Sequence, residues 1–250
     1  MQHTHRVLRE ALSHGIKWGI LTRNVADAAT PPRPQRAEMV MWDDDTIHRF
    51  LDVSEGSRFH GLYHLGILTG LRRSELCGLK WANVDLPRGT LSVVETLQRI
   101  PGHGLVAGQP KTGRSRRSVA LDPEAVAVFH AVRGRQIEQK LVAGDAWENT
   151  GYVFTQDDGT AVDPESTSKD FCAIVRQTGL PHLTLHGLRH LHATLMLSNK
   201  ESPKVVSERL GHSSIAITMD MYSHVLPGLQ EAAALALGQR LARRRRPASK

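Results

Sequence analysis

The sequence is poor in cysteine and in aromatic residues, and it has no long apolar run. Its 250 residues include 2 cysteines, and aromatic side chains make up 5% of the chain. So few cysteines cannot form a disulfide framework, which excludes a small disulfide-stabilised scaffold. No apolar stretch approaches the roughly 20 residues that a membrane-spanning helix needs. The first residues also lack a secretory pattern, so we expect a cytoplasmic protein with both thiols reduced.

Positive charge is concentrated at the C-terminal end of the chain. The formal net charge is +7. Residues 240–250 carry six basic side chains and no acidic one, so the remainder of the chain is close to neutral. A basic balance favours a polyanionic partner such as DNA. An arginine run at a terminus is also commonly a solvated end, and the tail alone is compatible with both interpretations.

Hydrophobic periodicity and proline content divide the chain into a front helix, a stiff linker and a larger body. Apolar residues recur at helical spacing over 7–21, and the proline-rich segment 29–34 that follows cannot continue a helix. The length is sufficient for one good core and a small appendage. We predict four parts: a helical remnant at 1–30, a linker at 31–37, a main domain at 38–228, and a C-terminal helix with a basic tail at 229–250.

The body is predicted to be mainly α with a small antiparallel β-sheet. Strand-like patterns cover 90–100 and 115–121, and the glycines between them indicate a hairpin with a long connection. A short strand is expected at 151–156. Helical spacing, together with Ser, Asp or Pro at the starts, predicts the helices. They are placed at 47–51, 58–69, 72–79, 123–141, from 164 onward, 184–197, 203–211, 213–223 and 229–241.

Arg72 and Glu75 are the first candidate functional residues. They are three apart at a predicted helix start, in the sequence TGLRRSEL, so their side chains share a face. One interpretation is a surface ion pair worth less than about 1 kcal/mol. The other is that the planar guanidinium of Arg72 grips a phosphate oxygen while Glu75 orients a neighbouring cation.

His186 and Arg189 repeat this spacing in the motif HGLRH. The motif also contains His190, and two histidines four apart on a helix are a known zinc-binding arrangement. Position 187 is glycine, however, where the zinc-protease motif has a catalytic glutamate, so we predict no metal site and no cofactor. His190 and His192 are interpreted as packing or capping groups.

Lys111 lies in the glycine-rich connection of the predicted hairpin. Charges in loops are usually solvated, but a lysine on a mobile hairpin could reach a scissile site and protonate a leaving alkoxide. Neighbouring cations would lower its pKa toward neutral pH. Arg114, Arg116 and Arg117 follow it and are candidates for DNA contact.

His212 is expected at a tight turn between two helices. It follows Gly211, a natural helix C-cap, and precedes Ser213, a natural N-cap. The histidine then either fills the cap or donates a hydrogen bond to a phosphate oxygen beside the adjoining helix N-terminus. The sequence leaves both interpretations open.

Tyr222 is the candidate nucleophile. The chain has three tyrosines, and Tyr63 and Tyr152 are expected in the core because they lie in an apolar helix and a predicted strand. An isolated tyrosine near a helix end usually packs. A phenol held beside cations can instead attack phosphorus and conserve the bond energy as a phosphotyrosyl ester.

Five sequence elements in one order together resemble the tyrosine recombinase, or phage integrase, family. They are TGLRRSEL, the hairpin lysine, HGLRH, LGHSS and ITMDMYSH, and the resemblance extends from about residue 38 to the end. It implies the mainly α catalytic domain of that family, with its small antiparallel sheet. It also implies an enzyme that breaks and rejoins DNA strands at specific sites through a 3′-phosphotyrosyl intermediate.

The resemblance implies a set of phosphate-binding residues. Arg72 and Arg189 would hold the non-bridging oxygens of the scissile phosphate, and His212 would donate to the same phosphate. The basic tail would help to hold DNA more generally. The tail arginines concerned are Arg243, Arg244, Arg245 and Arg246.

The resemblance also implies which groups form bonds and move protons. Tyr222 would be the nucleophile, His186 would handle protons, and Lys111 would protonate the leaving 5′ oxygen. Glu75 matches the acidic position that supports the site. No metal or other cofactor is implied, because arginine and histidine supply the positive charge.

The partners implied by the resemblance are double-stranded DNA, further copies of the chain in a tetramer on DNA, and accessory DNA-bending or directionality proteins. The helix at 229–241 would pack either on its own domain or on an adjacent protomer. One helix precedes the linker where the family has a whole core-binding domain, so we expect a truncated chain or a late start. Two alternatives stay open: a DNA-binding remnant without recombination activity, and a type IB topoisomerase that relaxes supercoils.

Overall fold

The structure, a computed structural model, describes residues 2–31, 41–109, 116–225, 234, 235 and 237–239, and gives the backbone alone at residues 2, 3 and 222–225. The chain divides into two compact units, before and after Met41. Most of the predicted linker at 31–37 lies outside the described residues. Among the described residues, no helix is long and apolar enough to cross a membrane.

The first unit contains helix α1 (Gln2–Lys17) and a short 3₁₀ turn at Val25–Ala28. The helix predicted at 7–21 begins earlier, because the polar residues of its first turns give no periodic signal. It ends earlier as well, since Gly19 has a φ of +72° and turns the chain. Arg9 pairs with Asp27 at 2.6 Å and ties the turn to the helix.

The second unit is mainly helical, as the sequence predicts. Asp43, Asp122 and Asp163 cap three of its helices by accepting a backbone N–H of the first turn. The helices of this unit that matter below are α2 (Asp44–Ser54), α3 (His60–Thr69), α4 (Arg73–Cys77), α5 (Pro123–Ala143), α6 (Pro164–Gln177), α7 (Gly187–Ser198), α8 (Pro203–Leu210) and α9 (Ile215–Val225).

Four of these helices, α3, α4, α7 and α9, begin one to three residues later than predicted. The N–H of Gly187 donates to the carbonyl of Thr184, at 2.7 Å, in a turn that precedes α7. Helix α9 begins at Ile215 because Ser214, and not the expected Ser213, supplies the side-chain oxygen that accepts the Ala216 N–H, at 3.2 Å.

The described strands form two small antiparallel sheets where the sequence predicted one. The first has the order β1-β2-β5, and the second is the hairpin β3-β4. The predicted strand at 90–100 is therefore two strands, and part of the glycine-rich connection is itself a strand. Residues 151–156 form isolated bridges only. The strands are β1 (Val84–Asp85), β2 (Thr90–Val93), β3 (Thr96–Ile100), β4 (Gly104–Gly108) and β5 (Arg117–Ala120).

The core of the second unit is organised around an aromatic cluster from α2, α3 and α6. Phe50, Tyr63 and Phe171 are fully buried, and their rings lie 5.0 to 5.9 Å apart. Tyr152 is also buried, so both tyrosines expected in the core are there. Helices α4 and α7 pack against α3, which contributes Tyr63 to this cluster.

A second, smaller apolar cluster joins α7, α8 and α9. Leu197, Val206 and Leu210 are fully buried in it, and Met221 of α9 is 7% exposed against them. Burial of such a side chain contributes roughly 1.5–3 kcal/mol. Helix α9 therefore packs on the same chain that carries α7 and α8.

Candidate active site

An open cavity of about 800 Å³ lies where the starts of α4 and α7, the strand β3 and the turn between α8 and α9 come together. Three of the predicted catalytic side chains line it, although they are far apart in the sequence: Arg72, His186 and His212. Glu75 also reaches its lining. The fold thus brings the first, third and fourth of the recognised motifs to one place.

Glu75 is the buried anion of this site. Its side chain is 1% exposed and accepts hydrogen bonds from Arg72 Nη1 at 2.7 Å and from the Arg72 backbone N–H at 2.8 Å. Arg117 donates to both carboxylate oxygens, at 3.1 and 3.0 Å. Burial alone would raise the pKa of Glu75, but the hydrogen bonds and charges of Arg117 and Arg72 outweigh it and lower that pKa. Glu75 is therefore ionised at neutral pH and holds two guanidiniums.

Arg117 lies in strand β5, within the strand predicted at 115–121, but its side chain is buried and does not join the solvated charge run that follows Lys111. Its side chain is 6% exposed, and its Nε donates to the carbonyl of Arg209. This correction removes Arg117 from the surface charges that we assigned to DNA contact. The signal was the alternation of β5, because Val119, on the same face as Arg117, is 1% exposed.

Arg72 connects the buried anion with the cavity. Its side chain is 33% exposed, and its Nη2 donates to the carbonyl of Gly211 at 3.0 Å. Gly211 ends α8 with a φ of +65°, a conformation that glycine adopts without strain. A guanidinium has five N–H donors, so these bonds leave further donors for a ligand in the cavity.

Arg189 lies behind the cavity lining and is 3% exposed. Its Nη1 donates to the carbonyl of Gly70 at 2.9 Å, and its Nη2 donates to the carbonyl of Leu210 at 2.6 Å. Burial, followed by the charge of Arg72, lowers the pKa of Arg189 to about 9. That value is still well above neutral pH, so the site contains a second fixed positive charge.

His186 lies at the exposed start of α7, and its ring packs edge-on against that of His190 with 5.0 Å between centroids. Partial burial of the ring and the charges of His190, Arg189, Arg72 and Arg73 lower the pKa of His186 from its ordinary value of 6.5. At neutral pH the imidazole is therefore uncharged and able to accept a proton. In the part of the chain that the structure describes, no three side chains of His, Cys, Asp or Glu gather as metal ligands would.

His192 supports the site from the core side. It is 6% exposed, and its Nδ1 donates to the carbonyl of Ile67 at 2.8 Å. Its Nε2 accepts a hydrogen bond from Arg209 Nε at 3.1 Å. Burial and the charge of Arg209 lower the pKa of His192 to about 4, so the ring is neutral. This is the packing role that the sequence analysis assigned to His192.

His212 occupies the turn between α8 and α9, as predicted. Its Nδ1 lies 2.8 Å from the Oγ1 of Thr218, a residue of α9 that is fully buried. Burial, followed by the charges of Arg189 and Arg72, lowers the pKa of His212 to about 4. Thr218 could not be predicted from the sequence, because a threonine in an amphipathic helix carries no signal of its own.

The structure describes the other predicted site residues to different extents. Tyr222 lies within α9, but its side chain is outside the described part of the structure. Arg116 is exposed, and its Nη2 donates to Gln109 at 2.7 Å. The remaining predicted site residues are all outside the described residues: Lys111, Arg114, Arg243, Arg244, Arg245 and Arg246.

Comparison with known sequences gives relatives over most of the chain. The chain is 30% identical over 237 residues to a tyrosine recombinase XerC-like protein of Caldanaerobacter subterraneus subsp. tengcongensis, covering 88% of this chain and 61% of that protein. It is 27% identical over 214 residues to the ICEBs1 integrase of Bacillus subtilis, covering 85% of this chain and 58% of that protein. The chain spans about three fifths of the length of these curated relatives.

Solved structures share the fold. The Tn1549 transposon integrase in complex with transposon right end DNA matches with a TM-score of 0.76 at 23% identity, covering 96% of this chain and 78% of that one. A lambda integrase tetramer bound to a Holliday junction matches with a TM-score of 0.59 at 20% identity, covering 87% and 57%. The second unit thus has the fold of a tyrosine recombinase catalytic domain. The sequence model of the phage integrase family matches residues 42–228, and the chain therefore belongs to the phage integrase family.

Proposed function

We propose that this protein is a site-specific recombinase, a DNA strand transferase that cuts and rejoins DNA through a 3′-phosphotyrosyl intermediate. The observation that carries the proposal is one cavity lined by Arg72, His186 and His212. The helix that contains Tyr222 begins directly after the turn of His212. Such a reaction needs cations, a neutral base and a tyrosine hydroxyl as nucleophile.

Charge neutralisation is the first task of the proposed site. A phosphodiester resists attack because its anionic oxygens repel the nucleophile, so positive charge at those oxygens lowers the barrier. Arg72 has free donors toward the cavity, and Arg189 adds a fixed charge from behind the lining, where the low dielectric strengthens its field. Together with a donor from His212, these groups supply the stabilisation without calling on a metal ion.

Bond exchange at phosphorus is the second task. The Tyr222 oxygen forms a bond to phosphorus and the bond from phosphorus to the 5′ oxygen breaks, which leaves the 3′ phosphate on the protein. The phenol proton passes to a neutral base, for which His186 has the required protonation state. The leaving 5′ oxygen takes a proton from Lys111, the role that the family resemblance gives it. Rejoining reverses these steps with another 5′ hydroxyl and needs no ATP.

Double-stranded DNA is the proposed substrate, and the cytoplasm is the proposed place of action. Related structures were solved with transposon right end DNA and, as a tetramer, with a Holliday junction. We extend both features to this chain: DNA contact at the cavity and self-association on DNA during strand exchange. Accessory DNA-bending or directionality proteins belong to the same proposal.

The test is the formation of a covalent protein–DNA adduct. Nicked duplexes taken from DNA flanking the coding sequence let a short fragment leave after cleavage, which traps the intermediate. Wild-type protein should give an adduct on a denaturing gel, and Tyr222→Phe should give none, because it lacks the attacking oxygen. A Tyr63→Phe variant is the matched control and should still form the adduct, since Tyr63 is in the core.

Other outcomes separate the remaining interpretations. An adduct with Tyr222→Phe would contradict the assignment of the nucleophile. DNA binding without an adduct in the wild type would favour the DNA-binding remnant. Relaxation of a supercoiled plasmid without a specific site, by single molecules, would favour the topoisomerase alternative.

A further inference from the structure

His212 contacts helix α9 through the side chain of Thr218. Among the described residues, this is the one side-chain hydrogen bond between His212 and that helix. Nδ1 of His212 and Oγ1 of Thr218 are 2.8 Å apart, and Thr218 is 0% exposed. The His212 side chain, which also carries the second ring nitrogen Nε2, lines the cavity. Thr218 is also four residues before Tyr222 in the same helix.

The direction of this hydrogen bond follows from the burial of the hydroxyl. A buried hydroxyl proton that is not donated costs free energy, and His212 Nδ1 is the acceptor that the structure gives Thr218 among the described residues. If Nδ1–H donated to the hydroxyl, the Thr218 proton would be left without an acceptor. The satisfied arrangement has the Thr218 O–H donating to Nδ1, which places the ring proton on Nε2.

We propose that Thr218 is a positioning residue that fixes the tautomer and orientation of His212, so that Nε2–H donates into the cavity. This inference rests on the proposed function, in which His212 donates to the scissile phosphate. A neutral imidazole donates from one nitrogen only, so the opposite tautomer would present a lone pair to an anionic oxygen. Thr218 thereby makes the alignment of the phosphate donor depend on the docking of the helix that carries Tyr222.

The charged surroundings of His212 agree with a neutral donor. The cations that act on the ring come from three other elements: Arg189 on α7, Arg72 at the start of α4 and Arg117 on β5; His190 on α7 would act in the same sense when protonated. They oppose a positive charge on the imidazole. Under these conditions the ring cannot donate from both nitrogens as an imidazolium, so the single proton has to be on the correct one.

The first measurement concerns the hydrogen bond itself and requires no DNA. In protein labelled with ¹⁵N-histidine, long-range ¹H–¹⁵N correlations report which ring nitrogen carries the proton, and the His212 signals are those missing from His212→Gln. We expect an unprotonated Nδ1 and a protonated Nε2 in the wild type at neutral pH. A proton on Nδ1 would overturn the proposal, whatever the cleavage assays give.

The second measurement is the single-turnover cleavage rate on the nicked duplex. Thr218→Val keeps the shape and removes the hydroxyl, and we expect cleavage to slow by about tenfold with DNA binding unchanged. Thr218→Ser keeps the hydroxyl and should cleave at nearly the wild-type rate. In the His212→Gln background, Thr218→Val should have no further effect, because the residue it acts through is absent.

A matched control is provided by Thr194, a buried threonine of α7 whose hydroxyl has no hydrogen-bond partner among the described residues. Thr194→Val should leave the cleavage rate unchanged. Equal slowing by Thr218→Val in both backgrounds, or equal slowing by Ser and Val, would show a merely structural role and overturn the proposal. If wild-type protein forms no adduct, the proposed function fails, and the tautomer measurement still decides the state of the pair.

Discussion

At the scale of single residues, the site depends on a buried carboxylate that holds two guanidiniums. Glu75 is 2% exposed and bonds both Arg72 and Arg117. A buried charge is expensive unless it is paired, so each member of this group is needed to compensate the others. Removing the anion would leave Arg72 and Arg117 as like charges side by side near Arg189, so Arg72 would lose its fixed position beside the cavity.

We predict that Glu75→Gln lowers the free energy of unfolding by about 3 kcal/mol, the low end for a broken buried pair, because Arg72 is partly exposed and glutamine keeps an acceptor oxygen. Chemical denaturation at neutral pH measures the change. Cleavage of the nicked duplex should fall as well. Glu138→Gln, on the exposed surface of α5, is the control and should change stability by less than about 0.5 kcal/mol.

The same residue gives a pH dependence of stability. The pKa of Glu75 in the folded protein is below its ordinary value of 4.5, so its contribution is fully present above that value. The contribution is lost as the pH falls through the lowered pKa, where the folded state must also take up the proton. The difference in free energy of unfolding between the wild type and Glu75→Gln should therefore shrink in this acidic range. A constant difference between the two proteins down to acidic pH would contradict the ion-pair account.

Residue types and their spacing predicted much of the candidate site. Arg72, His186 and His212 were singled out from motifs, and the fold brings all three to one cavity. The partner of Glu75 on β5 was missed, because pairing across distant segments is fixed by the tertiary fold and not by local sequence. Thr218 was missed for the same reason, since its contact with His212 exists only after α9 has docked.

At the scale of elements, the critical feature is the way α9 is held on α7 and α8. Met221 supplies the apolar contact of α9, 7% exposed in the cluster with Leu197, Val206 and Leu210. By contrast, Ile215 and Met219 of the same helix are 47% and 42% exposed. Among the α9 side chains that the structure describes, Thr218 and Met221 are the buried ones, and we expect local opening of α9 to cost less than global unfolding.

We predict that Met221→Ala costs about 2–3 kcal/mol and acts mainly on α9, because it leaves a cavity under that helix. Hydrogen exchange should become faster at the backbone amides of α9 while those of α3 stay protected. Ile215→Ala, at an exposed position of the same helix, should leave the exchange of α9 nearly unchanged. Equal acceleration in α3 and α9 would mean that α9 unfolds only with the whole unit.

Element types were easier to predict than strand pairing. Aspartate caps and proline at the first turn gave the starts of α5 and α6 to within a residue. The division of 90–100 into β2 and β3 was missed, because a continuous apolar and β-branched run does not reveal where a chain leaves one sheet and enters another. The fold decides that point through the different partners of β2 and β3.

At the scale of the whole molecule, the unequal distribution of charge should govern DNA affinity. Most of the net positive charge comes from residues 240–250, whereas the cavity contributes a few fixed cations. Phosphates that the protein neutralises release their counterions, so the affinity falls with salt in proportion to the number of such phosphates. Tail and cavity should therefore contribute in different ways, the tail to affinity and the cavity to chemistry.

We predict that replacing Arg243, Arg244, Arg245 and Arg246 with glutamine weakens binding to a duplex of arbitrary sequence. The slope of log affinity against log salt should become shallower by about 0.9 for each phosphate that the variant no longer neutralises. Fluorescence anisotropy over a series of salt concentrations measures the slope. Lys140→Gln, which removes an exposed charge of α5, is the control. An unchanged slope in the arginine variant would mean that the tail is a solvated end.

The acceptors that hold the two site arginines are largely main-chain atoms. Arg189 is fixed by the carbonyls of Gly70 and Leu210, and Arg72 is fixed in part by that of Gly211. A carbonyl is present whatever side chain its residue bears, so no single side-chain exchange at Leu210 deletes its bond to Arg189. The anchoring of Arg189 is thus robust to mutation in a way that the side-chain pairing of Arg72 with Glu75 is not. Substitutions at other residues that line the cavity, such as Gln98 and Thr184, should therefore leave the main-chain bonds of Arg189 in place.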